Sequence, residues 1–146
     1  MSKSNAWETA LLNLVFNNTD AANIGDATGL RGSSTAGSLY VSLHTGDPGE
    51  AGSQTTNEAA YTSYARVAVA RNSGGWTISG NSVTNAALVQ FPQCTGGSET
   101  ETYFGIGTAS SGAGVLLYKG ALSASLAVSS GIQPQFGAGD LDGTED

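Results

Sequence analysis

The chain has 146 residues, twelve acidic and five basic side chains, and a net charge of −7; 39 % of it is hydrophobic and only 12 % is charged. That is enough for one domain with a buried core and argues against charge-rich disorder. The scattered bases cannot displace counterions along a nucleic acid, so no direct nucleic-acid binding is expected, and an acidic surface suits a basic protein partner better.

Ordinary soluble domains are about 25 % charged. Here the surface must be built from hydroxyl, amide and glycine, with 21 glycines in the chain, which favours an all-β protein rich in turns. The opening stretch, "MSKSNAWETALLNLVF", lacks the long apolar core and cleavage site of a signal peptide. No segment approaches the roughly 18 apolar residues of a membrane span. The expectation is a soluble protein made in the cytoplasm, with no membrane partner. The single cysteine, Cys94, has no internal disulfide partner and fits a reducing compartment as a small packed residue.

In chain order, residues 1–20 are read as a helical segment. Asn5 with Glu8 three residues on matches an N-cap and its capping-box acid. Trp7, Ala10, Leu11, Leu14 and Val15 follow helical spacing, Leu12 and Phe16 widen the face, and "NNTD" at 17–20 ends it. Such a face must be covered, by the chain's own sheet or by a neighbouring subunit. Residues 21–38 are a Gly/Ser-rich loop, or an arm ordered by a partner.

Residues 39–136 are read as a β-sandwich or jelly-roll-like body of seven to nine short strands. Leu39, Val41 and Leu43 alternate with polar residues in a first strand, and "YARVAVAR" at 64–71 forms a second. "WTISGNSVT" at 76–84 is a hairpin across Gly80-Asn81, of the type II′ that puts glycine first. "ALVQF", "TYFGIG", "VLLYKG", "SLAVSS" and "IQPQF" supply the rest. The acidic, glycine-rich residues 137–146 are expected to be disordered alone, or to strap the protein onto a basic surface.

Chemistry is sought first in "LYVSLHTGDPGEAG", which places the only histidine, His44, near Asp47 and Glu50. One His and one Cys are too few for an ordinary zinc site. Asp47, Pro48 and Gly49 each suit a position of a type II turn, so the segment is read as a strand ending in a turn. A catalytic triad lacks its G-x-S-x-G elbow. "GIGTASSG" carries only the first two glycines of a dinucleotide loop. Glu99 and Glu101 are too close in sequence to flank a glycosidic bond, and are read as a solvated strand edge. No catalytic residue, metal site or cofactor is expected. Tyr61, Tyr64, Trp76, Tyr103 and Phe104 offer a weak aromatic platform for glycans, with Trp76 and Phe104 better placed in the core.

Taken in order, "LYVSLHTGDPGEAG", "YARVAVAR", "GGWTISGNSVTN", "FGIGTASSGAGVLLYKGALS" and "VSSGIQPQF", behind the N-terminal helix, resemble a family of small tailed-bacteriophage and prophage structural proteins. Its members are commonly labelled tail-fibre or structural proteins, and small β-sandwich proteins of this size also serve as head decoration (cement) proteins. The resemblance supplies no catalytic residues. It implies a virion component assembled in the host cytoplasm, with the major capsid protein and copies of itself as partners. Head decoration is the first reading, because 146 residues leave little room for a fibre shaft. The alternative is a tail-fibre, tail-tip or adaptor subunit that binds a host glycan. Under either reading the interface candidates are Trp7, Leu11, Leu14 and Val15 on the helix, Arg31 in the arm, and Asp140 and Asp142 in the tail.

Overall fold

The computed structural model describes residues 2–145. Met1 and Asp146, assigned from sequence to the helical segment and the tail, lie outside them. Among the described residues the class is mainly β, as expected: nine strands in antiparallel sheets, and one helix. The chain forms two compact units whose boundaries cut through the 39–136 segment. One comprises Met1–Ser38, Val69–Leu88 and Phe136–Asp146; the other comprises Leu39–Ala68 and Val89–Gln135.

The first unit holds α1 (Asn5–Asn17). Its N-cap is Ser4, one residue before the expected Asn5: Ser4 is extended and accepts the Trp7 N–H, whereas Asn5 already has helical geometry. Asn18 closes the helix in the left-handed conformation, φ 55°, and its N–H reaches the Asn13 carbonyl. The most buried stripe is Glu8, Leu12 and Phe16, at i, i+4 and i+8. The residues expected to lead the apolar face, Trp7, Leu11, Leu14 and Val15, flank it half-buried.

Leu12 and Phe16 face the hairpin of β3 (Trp76–Ser79) and β4 (Ser82–Asn85). The Phe16 ring meets Trp76 edge-on at 4.8 Å, and Thr9 Oγ1 donates to the Gly80 carbonyl at 2.8 Å. The helix therefore packs on its own unit's sheet. No base lies in its last turn; Arg71 supplies the missing cation instead, donating to the carbonyls of Val15 (2.6 Å) and Leu14 (2.7 Å). Gly80, at φ 62°, opens the two-residue turn as the hairpin reading requires.

Two segments are more ordered than the sequence implies. Residues 21–38 are stitched down: Ala21 and Leu30 form a β-bridge, Asn18 and Ser33 exchange two hydrogen bonds, and Arg71 holds the Ala36 carbonyl. The tail is not disordered. Its β9 (Asp142–Thr144) pairs with β4, Leu141 is buried, and Glu145 meets Lys3 at 3.0 Å. Acidic composition suggested disorder, but one buried leucine and a free sheet edge suffice to fix the backbone.

Most of the second unit's strand residues lie in a sheet ordered β2-β1-β6-β7, comprising β2 (Val67–Ala70), β1 (Ser38–His44), β6 (Ser98–Gly107) and β7 (Leu116–Ser129). The segments "VLLYKG" and "SLAVSS", read as two strands, are one 14-residue strand. It is kept against β6 by register shifts between Glu101 and Tyr103 and between Ile106 and Gly107. A short pair, β5 (Val89–Gln90) with β8 (Gln135–Phe136), completes the strands.

Candidate functional site

A hydrogen-bonded cluster of polar side chains lies in the second unit, where β1 ends and residues 53–66 lead towards β2. His44 closes β1 with no exposed surface. Its Nδ1 lies 2.9 Å from the Thr56 carbonyl and its Nε2 lies 2.8 Å from Ser42 Oγ. A neutral ring satisfies both contacts: Nδ1–H donates to the carbonyl and Nε2 accepts the serine proton. Burial, first among the causes, lowers the His44 pKa.

The space for this pair comes from Gly105, which faces Ser42 on β6. A Cβ there would stand 2.7 Å from both His44 Nε2 and Ser42 Oγ.

Asp47 and Glu50 do not join His44. Asp47 Oδ1 accepts the Gly49 N–H at 2.8 Å, Gly49 takes φ 74°, and Lys119 meets Asp47 at 3.0 Å and Glu50 at 3.6 Å. The Gly49 N–H, then Lys119, lower the Asp47 pKa. The segment is a strand followed by a turn, as read from sequence.

Beneath it runs a network that sequence patterning missed. The Arg66 side chain is 2 % exposed and forks onto Glu58, Nε to Oε1 at 2.6 Å and Nη2 to Oε2 at 2.7 Å. Its remaining donors take the carbonyls of Ala109 and Gly112, both at 2.8 Å. Gln54, fully buried, accepts the Ala109 N–H through Oε1, while its backbone N–H reaches the Ala113 carbonyl. Together they pin the β6–β7 loop. Tyr64 accepts the Leu43 N–H and donates to Glu58, and burial raises its pKa. No periodicity marks residues 54–66, because their partners lie more than 40 positions away (Arg66 to Ala109 and Gly112; Gln54 to Ala109). The signal available was Arg66 itself, a cation directly before an apolar strand.

A buried acid lies on β6. Glu101 is fully buried, which overturns the reading of Glu99 and Glu101 as a solvated strand edge. Glu99 Oε1 accepts two backbone N–H groups, those of Ala60 and Tyr61, each at 2.8 Å. The side chains turn inward because residues 58–62 cover this stretch of strand.

Tyr61 is 4 % exposed and donates to the Pro92 carbonyl. Burial first, then the charge of Glu101, push its pKa up to about 12. Tyr61 is therefore no exposed aromatic for a glycan, and Tyr64 spends its hydroxyl on the network. Trp76 and Phe104 are core, as expected. Cys94 is buried and directs its thiol to the Gly96 carbonyl at 3.2 Å.

The interface candidates are not gathered into one cluster. Trp7, Leu11, Leu14 and Val15 share the half-buried flanks of α1. The Arg31 side chain is 71 % exposed and lies 3.9 Å from Asp20. Asp140 closes a turn by accepting the Gly137 N–H, and Asp142 is exposed on β9. Large apolar side chains that sequence reasoning did not single out also reach solvent. In the second unit these are Val115, Leu117 and Ile132; in the first they are Leu88, Ile24 and Leu30. Among the described residues no three His, Cys, Asp or Glu side chains are grouped to hold a metal, and no helix is long and apolar enough to cross a membrane.

Comparison with known families gives one match that spans nearly the whole chain. The family model Gp80, described as "Podophage GP4 fiber I protein gp80", matches residues 2–144. No curated protein matches the chain.

Proposed function

The chain belongs to the podophage fiber I (Gp80) family, and from that premise we propose that it is a non-enzymatic structural subunit of a tailed-phage particle, acting by docking onto other virion proteins. One observation carries this reading. The groups best suited to chemistry serve the fold: His44 holds Ser42 and Thr56, Arg66 holds Glu58 and the β6–β7 loop, and Asp47 holds its own turn. The surface offers instead a few exposed large apolar side chains. Val115 is 59 % exposed beside β7, the edge strand of its sheet, and an edge with unpaired backbone groups is a natural place for another chain to dock.

Two placements use this chemistry. As a head decoration protein, the subunit repeats on the capsid lattice, and many modest contacts to the major capsid protein and to its own copies add through multivalency. Its hydrogen-bonded loops suit a clamp. As a tail subunit it would serve in few copies, a placement supported by the "fiber" in the family's description. In the glycan-binding form of that second placement Tyr61 is buried and the Tyr64 hydroxyl is engaged, which leaves only the half-buried Tyr103 of the aromatics named for it.

Labelled antibody against the chain, imaged on purified particles, separates the two. Label over the whole head fits decoration, label at one vertex fits the tail, and absence of label with detergent-opened particles also negative contradicts a virion role.

A further inference from the structure

The second unit contains a carboxyl group that its surroundings cannot hold as an anion. Glu101 is fully buried, and neither of its oxygens meets a donor among the described residues. Leaving a carboxylate in that condition costs several kcal/mol, and the usual remedy is to keep the proton. Glu99, two residues along β6, projects from the same face of the strand, and after burial it is the group that most raises the Glu101 pKa.

The groups around the pair are of one kind. Glu99 stands on the same strand, Tyr61 approaches from the segment packed against it, and Cys94 in turn lies near Tyr61. Across on β7 the residues facing Glu99 and Glu101 are Val128 and Leu126. No cation is among the groups acting on Glu101. Glu99 Oε1 is already committed to the N–H groups of Ala60 and Tyr61, which leaves its other oxygen to accept a proton from Glu101.

We propose that Glu99 and Glu101 share one proton, and that this carboxyl–carboxylate pair is a pH-sensitive latch fastening residues 58–62 onto β6, closed while the proton is held and released by alkali. The proton lost on opening passes to solvent, and the buried Glu101 carboxylate then faces the like charge of the half-buried Glu99 beneath the segment. Residues 60–62 are held on one side by Glu99 and on the other by the bridge from Thr62 to Gly96, so removing the proton loosens half of the anchorage. Burial and the neighbouring Glu99 push the Glu101 pKa up to about 8, from an ordinary 4.5. Because the folded-state value is raised, the stabilisation is complete below the ordinary value and is lost as pH rises towards 8. The folding constant then falls by at most about tenfold per pH unit and levels off above that point.

The test follows thermal and urea unfolding of the full chain from pH 5 to pH 10, for the natural protein and for Glu101→Gln. Amide exchange at Ala60 and Tyr61 is read in parallel, corrected for the intrinsic pH dependence of exchange. The natural protein is expected to lose stability up to about pH 8, with the two amides losing protection first, while Glu101→Gln donates an amide proton to Glu99 and stays flat over that range. A variant curve parallel to the natural one overturns the latch. So does recovery at pH 9 on adding millimolar calcium, which would make a cation the occupant. Should Glu101→Gln fail to fold, the side-chain carboxyl carbon of Glu101 in the natural protein decides by NMR: titration near pH 8 supports the shared proton, and titration in the ordinary glutamate range overturns it.

Discussion

The second unit draws two glutamates away from water, Glu101 fully and Glu58 mostly, and neutralises them in opposite ways. Glu58 meets the forked guanidinium of Arg66 and the hydroxyl of Tyr64, so its negative charge is matched by a permanent cation. Glu101 has only another acid for company, so its charge is cancelled by a proton. Both arrangements make a carboxyl group tolerable inside protein. Only the second depends on the proton concentration outside. The contrast also explains why the loop held by Arg66 and the segment held by Glu99 differ in expected response to pH, although both rest on the same sheet.

The largest effect should come from breaking the first arrangement. Arg66→Met removes the cation, leaves Glu58 unpaired and frees the carbonyls of Ala109 and Gly112. Loss of one partner of a buried pair costs about 3–5 kcal/mol, measurable by urea unfolding. The variant should also make Glu58 behave like Glu101, with a loss greater at pH 9 than at pH 5. An equal loss at both would show that packing rather than charge dominates.

Next in size is the latch itself. At pH 9 Glu101→Gln should be more stable than the natural chain by a few kcal/mol, since the Glu101 carboxyl rises from 4.5 to about 8 and each pH unit between contributes at most about 1.4 kcal/mol.

Smaller again is Gly105→Ala. Its new methyl would press on His44 and Ser42, and overpacking of this kind costs about 1–3 kcal/mol. The same thermal scans should show the loss without a new pH dependence. Least of all is Lys119→Met. Lys119 is paired with Asp47 and Glu50 at the surface, where ion pairs contribute little, so the unfolding midpoint should stay unchanged. A clear drop would mean that the turn depends on charge as the buried sites do.

What sequence made visible follows from the range of the forces involved. The helix, the first strand, the Gly80-Asn81 hairpin and the turn at Asp47-Pro48-Gly49 are set by neighbours a few positions apart, and each was legible. The helix cap slipped by one residue because Ser4 and Asn5 both suit the role, and only backbone geometry chose between them. The tail misled because composition cannot register one buried residue, Leu141, whose N–H finds Asn85 Oδ1 56 positions away. Glu101 misled for the same reason: a glutamate in a polar run reads as solvated until a distant segment is known to cover it. The candidate interface stayed the least legible part, because docking surfaces are defined by what meets them.

The most direct test of the virion reading is the copy number of this chain in purified particles, measured by quantitative mass spectrometry against the major capsid protein. The account predicts a fixed, multi-copy component that survives purification. A ratio near one to one would assign it to the head lattice, and a few per cent or less would assign it to the tail. Particles that lack the chain, from lysates that contain it, would contradict the account.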